Sequence, residues 1–241
     1  MNDTIRLLKS HRTYRDFDNN FKISDGDVQI IIECAKQAPS WMNGQHYSII
    51  EVTGDLKQRI VTVLPEQKQI ASCSRFFIFI VDFYRMSLAS ELNDVEFDPD
   101  DNIENLLISS IDLGLSAQNA AIAAESLGYG TCFLGSIRLI AKELIDWLGL
   151  PEYTFPIIGL CIGKPNIDMK IKPRLPMSGL FFKNQYETKT LKKDLLDYQQ
   201  TMVEFAEVRE TLLWTEKFTQ FYQKIYAPNN LNLMQNQKLL K

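Results

Sequence analysis

The hydrophobic and polar positions of the chain follow two periods, one typical of helices and one of buried strands. After Ser24, apolar residues recur at i, i+3, i+4 and i+7, which predicts a helix that ends at Pro39. A continuous apolar run, residues 76–81, is rich in aromatic and β-branched side chains and predicts a strand buried on both faces. The same reasoning predicts helices over residues 4–10, 55–64, 104–127 and 191–226, the last in one or two pieces, and strands over 47–53, 131–135 and 155–162.

The order of these elements predicts a single α+β domain with a C-terminal helical extension. Between two of the strands, we expect Ser136 to cap a further helix that Gly149 closes. We assign residues 1–190 to the core and residues 191–241 to the helical extension of the same domain. The chain after Pro228 is polar, and we expect it to be loose.

Composition and charge argue against several classes of protein. The 241 residues include 26 Lys and Arg against 30 Asp and Glu, a net charge of −4, which provides no general basic field for a nucleic acid. The first ten residues are too charged for a signal peptide, and no apolar run approaches the ~18 residues of a membrane span. We therefore expect a cytoplasmic protein with neither a nucleic-acid nor a membrane partner.

The cysteines, histidines and glycines argue against disulfide, metal and hydrolase chemistry. The cysteines at positions 34, 73, 132 and 161 have no paired spacing, and we expect free thiols in the core. His11 and His46 are too few for a three-histidine zinc site, so no metal is expected. The chain has no G-x-S-x-G motif, and Gly128 and Gly130 follow a helix instead of opening one, which is the wrong context for a dinucleotide fingerprint.

Two cationic clusters are candidates for binding an anion. The first consists of His11, Arg12 and Arg15, and the second of Lys170, Lys172 and Arg174. Arginine binds phosphate through bidentate, charge-assisted hydrogen bonds and lysine adds a point charge, so both clusters suit a phosphorylated cofactor. Taken alone, however, each cluster is more simply explained as ordinary solvated charge.

Several polar or flexible positions are weaker candidates. Ser40, Asn43 and Gln45, on the loop after Pro39, could hydrogen-bond a heteroaromatic ring, although most polar loops are only connections. Gln67 alone indicates nothing. Gly135 lies between a predicted strand and a predicted helix, where a glycine is often only part of a turn.

The order and wording of these motifs resemble the nitroreductase family. His11-Arg12-Thr13-Tyr14-Arg15 resembles the family's H-R-S-x-R opening, and Ala38 to Gln45 is similar to its A-P-S-x-x-N-x-Q loop. The A-A-E-S-L-G and K-P-R-L-P segments, at residues 123–128 and 172–176, look like the group of NADPH-dependent, oxygen-insensitive nitroreductases and flavin reductase P. The resemblance extends over about residues 4–190, and the C-terminal helices match poorly.

The resemblance implies a nitroreductase-like fold, in which helices flank a central, mainly antiparallel sheet. It also implies that residues 1–190 bind FMN and that the protein is a homodimer with FMN at the interface. By position, the FMN phosphate would be held by His11, Arg12, Lys172 and Arg174. Other residues of the same subunit would contact the flavin elsewhere: Thr13, Arg15, Gln67, Leu134, Gly135 and Ser136. The opposite subunit would contribute Ser40, Trp41, Met42 and Asn43.

The activity that the resemblance implies is reduction of nitroaromatics, quinones or free flavin by ping-pong hydride transfer from NADPH or NADH. The cofactor carries this chemistry, so no catalytic side chain is assigned. One alternative is a non-catalytic FMN-binding protein that stores or senses flavin, because the bulky Trp41 could block hydride donors. Another is an acidic interaction protein without a cofactor.

The resemblance implies that the choice of electron donor depends on residues 204–214, where the family's NADPH-selective members have a basic loop. This segment has one arginine among three glutamates, and Arg209 lies between Glu207 and Glu210. Its pull on a 2′-phosphate should therefore be weak, and we expect the preference for NADPH over NADH to be below about tenfold. The alternative is that Lys217, or a basic residue of the partner subunit, restores the selectivity.

Overall fold

A four-stranded sheet forms the centre of the larger of two units in the chain. Its strands are β1 (Tyr47–Glu51), β2 (Arg75–Asp82), β3 (Gly130–Leu134) and β4 (Thr154–Gly163), in the spatial order β1-β2-β4-β3. All three pairings are antiparallel. The structure, a computed structural model, describes residues 1–99, 102–206 and 211–241. Helices flank the sheet, and the α+β class predicted from the sequence is confirmed.

Strand β2 is buried on both faces because its alternating side chains enter two separate hydrophobic clusters. Phe77, Phe79 and Val81 belong to one cluster. Phe76, Ile78 and Ile80 belong to the other. This two-sided burial explains the uninterrupted apolar run, and it confirms the strand that the run predicts.

The larger unit comprises residues 1–169 and 227–241. Its first seven helices are α1 (Asp3–Lys9), α2 (Asp25–Lys36), α3 (Gly54–Val63), α4 (Lys68–Ser72), α5 (Tyr84–Glu91), α6 (Ile103–Ser126) and α7 (Ala141–Leu148). Helix α6 packs against α2 and the sheet through small side chains that include Ala117, Ala120 and Ala124. The start of α2 is as predicted, since the Ser24 side chain accepts a hydrogen bond from the Asp27 N–H at 3.0 Å.

Helix α6 is also, among the described residues, the one helix long and apolar enough to cross a membrane. The expectation that no apolar run approaches the length of a membrane span is therefore wrong for this helix, by length and composition. In the structure Asp112 is buried together with Ser109 and Ser116, and alanines of the same helix lie in the core beside the sheet. One side of the helix is therefore part of the core.

The predicted cap at Ser136 is wrong. A 3₁₀ turn, Gly135–Ile140, separates β3 from α7, and no side chain caps the start of either the turn or the helix. The hydroxyl of Ser136 is instead buried without a hydrogen-bond partner. The end of α7 is as predicted, because Gly149 adopts a left-handed conformation (φ 61°) that favours glycine.

The chain after Pro228 is ordered against the sheet and not loose, contrary to expectation. Helix α10 (Asn230–Asn236) precedes Gln237, whose side-chain nitrogen donates to the carbonyls of Pro151 (2.8 Å) and Thr154 (3.0 Å). The carbonyl of Gln237 accepts from the Tyr153 N–H at 2.7 Å. Two residues later, Leu239 is buried in the core.

The smaller unit, residues 170–226, contains α8 (Leu191–Phe205) and α9 (Trp214–Tyr222). The ring of Trp214 packs against Tyr198, with centroids 5.3 Å apart, and against Phe218 at 4.8 Å. The amphipathic stretch predicted over residues 191–226 is therefore two helices. The predicted division into residues 1–190 and 191–241 does not coincide with the two units and stays a prediction.

Three of the cysteines are buried thiols, but Cys34 is exposed, which corrects the expectation of four core positions. Cys132 faces Cys161 across the β3–β4 pairing. Burial raises the pKa of the Cys161 thiol well above its ordinary value, which keeps it protonated as a packing residue.

Replacement of Gln237 by leucine is expected to lower the free energy of unfolding by about 1–3 kcal/mol, because the Thr154 carbonyl at the start of β4 loses its partner in the core. The measurement is chemical denaturation at one fixed protein concentration. The matched control is Gln235→Leu on the exposed side of α10, expected to change stability by less than about 0.5 kcal/mol. Equal losses in the two variants would contradict this role.

Candidate functional site

The cationic segment from His11 to Arg15 is fixed against the edge strand β3 and the end of α6. The Tyr14 N–H donates to the Thr131 carbonyl at 2.9 Å, and Thr13 forms a bridge with Thr131. The ring nitrogen Nδ1 of His11 lies 2.8 Å from Glu125 Oε1, which also accepts from the Thr131 hydroxyl at 2.6 Å. The segment therefore has a defined position on the sheet.

Arg12 is oriented by two neighbours at the wall of a cleft. Its Nε donates to the Tyr14 hydroxyl at 2.8 Å, and its Nη2 lies 3.2 Å from Asp168 Oδ1. The Tyr14 hydrogen bond, assisted by Asp168, raises the pKa of Arg12 above its ordinary value, so the side chain stays cationic. The cleft has a volume of about 170 Å³ and is also lined by Ser10 and Glu125. A guanidinium has five N–H donors, so this arrangement can still bind an anion.

A second group of predicted site residues lies where β3 ends. Leu134 is the last residue of β3, and Gly135 and Ser136 begin the 3₁₀ turn. Among the described side chains, the Ser136 hydroxyl is one of three buried polar groups with an atom that has no partner. Such a group costs about 1–3 kcal/mol, which a ligand that hydrogen-bonds it would recover.

Strand β3 connects these two groups. Thr13 pairs with Thr131 near its start, and Gly135 follows its end, so the groups are separated by roughly 13 Å at ~3.3 Å per residue. Gln67 precedes α4, and its side-chain oxygen accepts from the Gln69 amide at 2.8 Å. Ile70 of α4 and Leu134 lie in the same hydrophobic cluster, which places both elements on one face of the sheet.

The Ser40–Gln45 loop has a strained backbone. Met42, Asn43 and Gln45 have positive φ values of 48°, 59° and 52°, and such conformations cost about 1–3 kcal/mol each. Within the loop, the Ser40 hydroxyl accepts from the Gln45 N–H at 3.2 Å. Trp41 and Met42 at its tip are 54% and 80% exposed. Strain of this kind persists only where the surroundings hold the backbone in place.

Three residues that sequence reasoning did not select hold these segments. Glu125 binds His11, Asp112 binds both ends of the Ser40–Gln45 loop, and Arg85 binds the Gln45 carbonyl at 2.6 Å. The signal for Asp112 was a single carboxylate within an apolar helix. Glu125 is the acidic residue of the A-A-E-S-L-G segment that carries the family resemblance, although no role was assigned to it, and Arg85 carried no comparable signal.

Lys172 and Arg174 belong to the smaller unit. Arg174 is exposed, and its Nη1 donates to the backbone carbonyls of Lys172 (2.6 Å) and Pro173 (3.3 Å). The Tyr198 hydroxyl donates to the Pro173 carbonyl at 3.0 Å, which ties this segment to α8. Lys172 lines a cavity of about 460 Å³ with residues of α8 and α9. That these two cations share an anion with His11 and Arg12 stays a prediction.

Two further expectations concern the donor segment and metals. Arg209, with Glu207 and Glu210, lies outside the described residues. Within the part of the chain that the structure describes, no group of three or more His, Cys, Asp or Glu side chains is placed to hold a metal ion.

Two models of one protein family together match most of the chain. The model of the nitroreductase family matches residues 8–164, and that of the nitroreductase family C-terminal domain matches residues 172–241. The chain is 32% identical to an FMN reductase [NAD(P)H] of Bacillus subtilis, with 98% of each chain covered. It is 34% identical to a Cr(VI) reductase of Pseudomonas sp., with 89% of this chain and 90% of the relative covered.

The solved structure of B. megaterium NfrA2 has the same fold. It aligns with a TM-score of 0.94 and 34% identity, over 100% of this chain and 99% of NfrA2. Together the family models extend over nearly the whole chain, and the relatives match it over most of their length. The chain therefore belongs to the nitroreductase family.

Proposed function

We propose that this protein is an FMN-dependent NAD(P)H oxidoreductase that reduces nitroaromatics, quinones or free flavin. The relatives are an FMN reductase that uses NAD(P)H and a Cr(VI) reductase. The observation that carries the proposal is the fixed cationic segment at one end of β3 and the buried, unpaired Ser136 hydroxyl just beyond the other. FMN, where bound, would supply the hydride-transfer chemistry between a nicotinamide donor and the acceptor.

The residues present fit FMN. Arg12 and His11, with Lys172 and Arg174 of the smaller unit, would hold the phosphate, and Arg15 would stabilise negative charge on the reduced ring. Other contacts would come from the rest of the predicted set: Thr13, Gln67, Leu134, Gly135 and Ser136. Tyr14 and Asp168 act on Arg12 by orienting its guanidinium.

Replacing Arg12 or Arg174 with alanine is expected to raise the dissociation constant for FMN roughly ten- to a hundredfold, because each change removes a charge-assisted phosphate contact of ~1.5–3 kcal/mol. Fluorescence titration of the apoprotein with FMN measures this. Arg6→Ala is the matched control, because Arg6 is exposed and pairs only locally with Asp3 in α1. If both test variants bind FMN as tightly as the parent, the phosphate assignment is wrong.

We further propose that the protein is a homodimer with FMN at the interface. The outer face of α6 presents an apolar stripe that is more than 40% exposed at each position: Ile103, Leu107, Ile111 and Leu115. An apolar stripe of this length on a helix whose opposite face is buried is typical of a protein–protein interface. In the dimer, the Ser40–Gln45 loop of one protomer would border the flavin of the other, where Ser40 and Asn43 contact it.

Leu107→Asp is expected to convert the dimer to monomer at micromolar concentration and to release FMN, because it places a charge in the apolar stripe. Sedimentation velocity, followed at both protein and flavin absorbance, measures the two effects together. The control is Val63→Asp, which changes a half-exposed apolar residue at the end of α3. A monomer that keeps its flavin would refute the shared site.

We place the enzyme in the cytoplasm, where NADH and NADPH are available.

The experiment that tests the proposed function is steady-state oxidation of each donor with a quinone as acceptor. We expect turnover with both, and values of kcat/KM that differ by less than about tenfold, or ~1.4 kcal/mol. The non-catalytic alternative requires flavin binding without turnover. A preference for NADPH above about a hundredfold would contradict the weak pull expected of residues 204–214, and would favour the alternative in which Lys217 or a basic residue of the partner subunit binds the 2′-phosphate.

A further inference from the structure

The Ser40–Gln45 loop is connected to the core at both ends through one carboxylate. Asp112, in the middle of α6, accepts the Trp41 N–H on Oδ1 at 2.8 Å. Its Oδ2 accepts the His46 N–H at 3.4 Å and lies 2.8 Å from Nδ1 of the His46 ring. The Asp112 and His46 side chains are 2% and 8% exposed. These contacts therefore form a buried polar cluster that spans the loop.

The imidazole ring of His46 also fills the space beneath the loop. Its centroid lies 5.2 Å from that of Phe83 and 6.3 Å from that of Trp41. A Cβ atom at Gly44 would lie only 2.1 Å from Cε1 of this ring, so the loop backbone passes directly over His46. Only glycine allows that approach.

A second attachment holds the loop where it enters β1. Arg85 Nη2 donates to the carbonyls of Gln45 (2.6 Å) and Tyr47 (2.7 Å), while its Nη1 is 2.8 Å from Asp82 Oδ2. Asp112 contacts the backbone at positions 41 and 46, on either side of the strained residues 42, 43 and 45. Arg85 contacts the last of these three, at its carbonyl. Without these attachments the backbone would relax toward ordinary conformations.

We propose that His46 and Asp112 are positioning residues for flavin binding, which they control by holding Ser40 and Asn43 in place. This inference rests on the proposed function, in which the loop borders the flavin. Replacing two buried, hydrogen-bonded polar side chains by apolar ones of the same shape is often nearly neutral for stability, so stability alone gives little reason for this pair. The pair's hydrogen bonds to both ends of a strained, exposed loop give it a specific role.

The experiment compares two replacements of His46. His46→Phe keeps a ring against Phe83 but removes the donor to Asp112, whereas His46→Asn restores a side-chain N–H donor near the position of Nδ1. In His46→Phe we expect FMN affinity to fall at least tenfold. We also expect amide hydrogen exchange at positions 41 and 46, measured both with and without saturating FMN, to quicken at least tenfold. In His46→Asn both quantities should return to within about threefold of the parent.

The control is Tyr47→Phe, which removes a long hydrogen bond (3.4 Å) from the neighbouring residue to the Ala35 carbonyl. It should leave loop exchange and FMN affinity as in the parent, with kcat unchanged. Asp112→Asn provides a second test if His46→Phe does not fold. It keeps the shape of the side chain but removes its charge, and both quantities should change in the same direction.

Several results would overturn the inference. One is faster exchange in the loop with unchanged FMN affinity, which would mean that the loop does not contact the flavin. Another is unchanged exchange in both His46→Phe and Asp112→Asn. A third is an equal loss of FMN in Tyr47→Phe, or no rescue by asparagine, since either would indicate general destabilisation. If the parent itself binds no FMN, the proposed function fails, and the exchange data still show whether the pair holds the loop.

Discussion

Strand β2 exposes no face to solvent, and the rest of the larger unit is arranged to cover both of its sides. Each of its buried Phe, Ile and Val side chains contributes about 1.5–3 kcal/mol when removed from water. Helices α2 and α6 cover one side, and α3, α4 and the turn after β3 cover the other. Because both faces of the sheet are occupied, polar residues with a binding role are left to its edge, to the strand ends and to the loops.

Helix α6 connects those peripheral positions to one another. Its buried side carries Asp112, which holds the Ser40–Gln45 loop, and its last turn carries Glu125, which holds His11. The two carboxylates are 13 residues apart, or roughly 20 Å along the axis at 1.5 Å per residue. One rigid element therefore sets the distance between the two segments. The same helix presents its apolar stripe outward. The proposed contact between protomers therefore lies on the element that holds both the Ser40–Gln45 loop and the His11 segment.

Local signals predicted the elements well, and long-range contacts account for what was missed. The start of α2 could be predicted because Ser24 caps it through a hydrogen bond to a residue three positions away. Strand β2 could be predicted because its continuous apolar sequence indicates burial on both faces. The pairing of His46 with Asp112 joins residues 66 positions apart, and only the fold brings them together. The sequence gives no sign that Gln237 is buried, because the carbonyls that it binds belong to residues more than 80 positions earlier in the chain. The candidate flavin residues came from the resemblance to a family, since each motif alone is equally explained by polar side chains that face water.

The residues that hold the Ser40–Gln45 loop in place lie on its inner side, and its exposed residues lie on its outer side. Gly44, His46 and Asp112 lie inward and determine whether the loop keeps its conformation. Trp41 and Met42 are exposed, although the Trp41 ring also lies 6.3 Å from the His46 ring. The hydrogen bond from Trp41 to Asp112 comes from the backbone N–H, so it does not depend on which side chain stands at position 41. Selection, or a protein engineer, can therefore change the side chains at positions 41 and 42 while the contacts of Asp112 with the loop backbone remain. New recognition properties can evolve at the tip of the loop in this way.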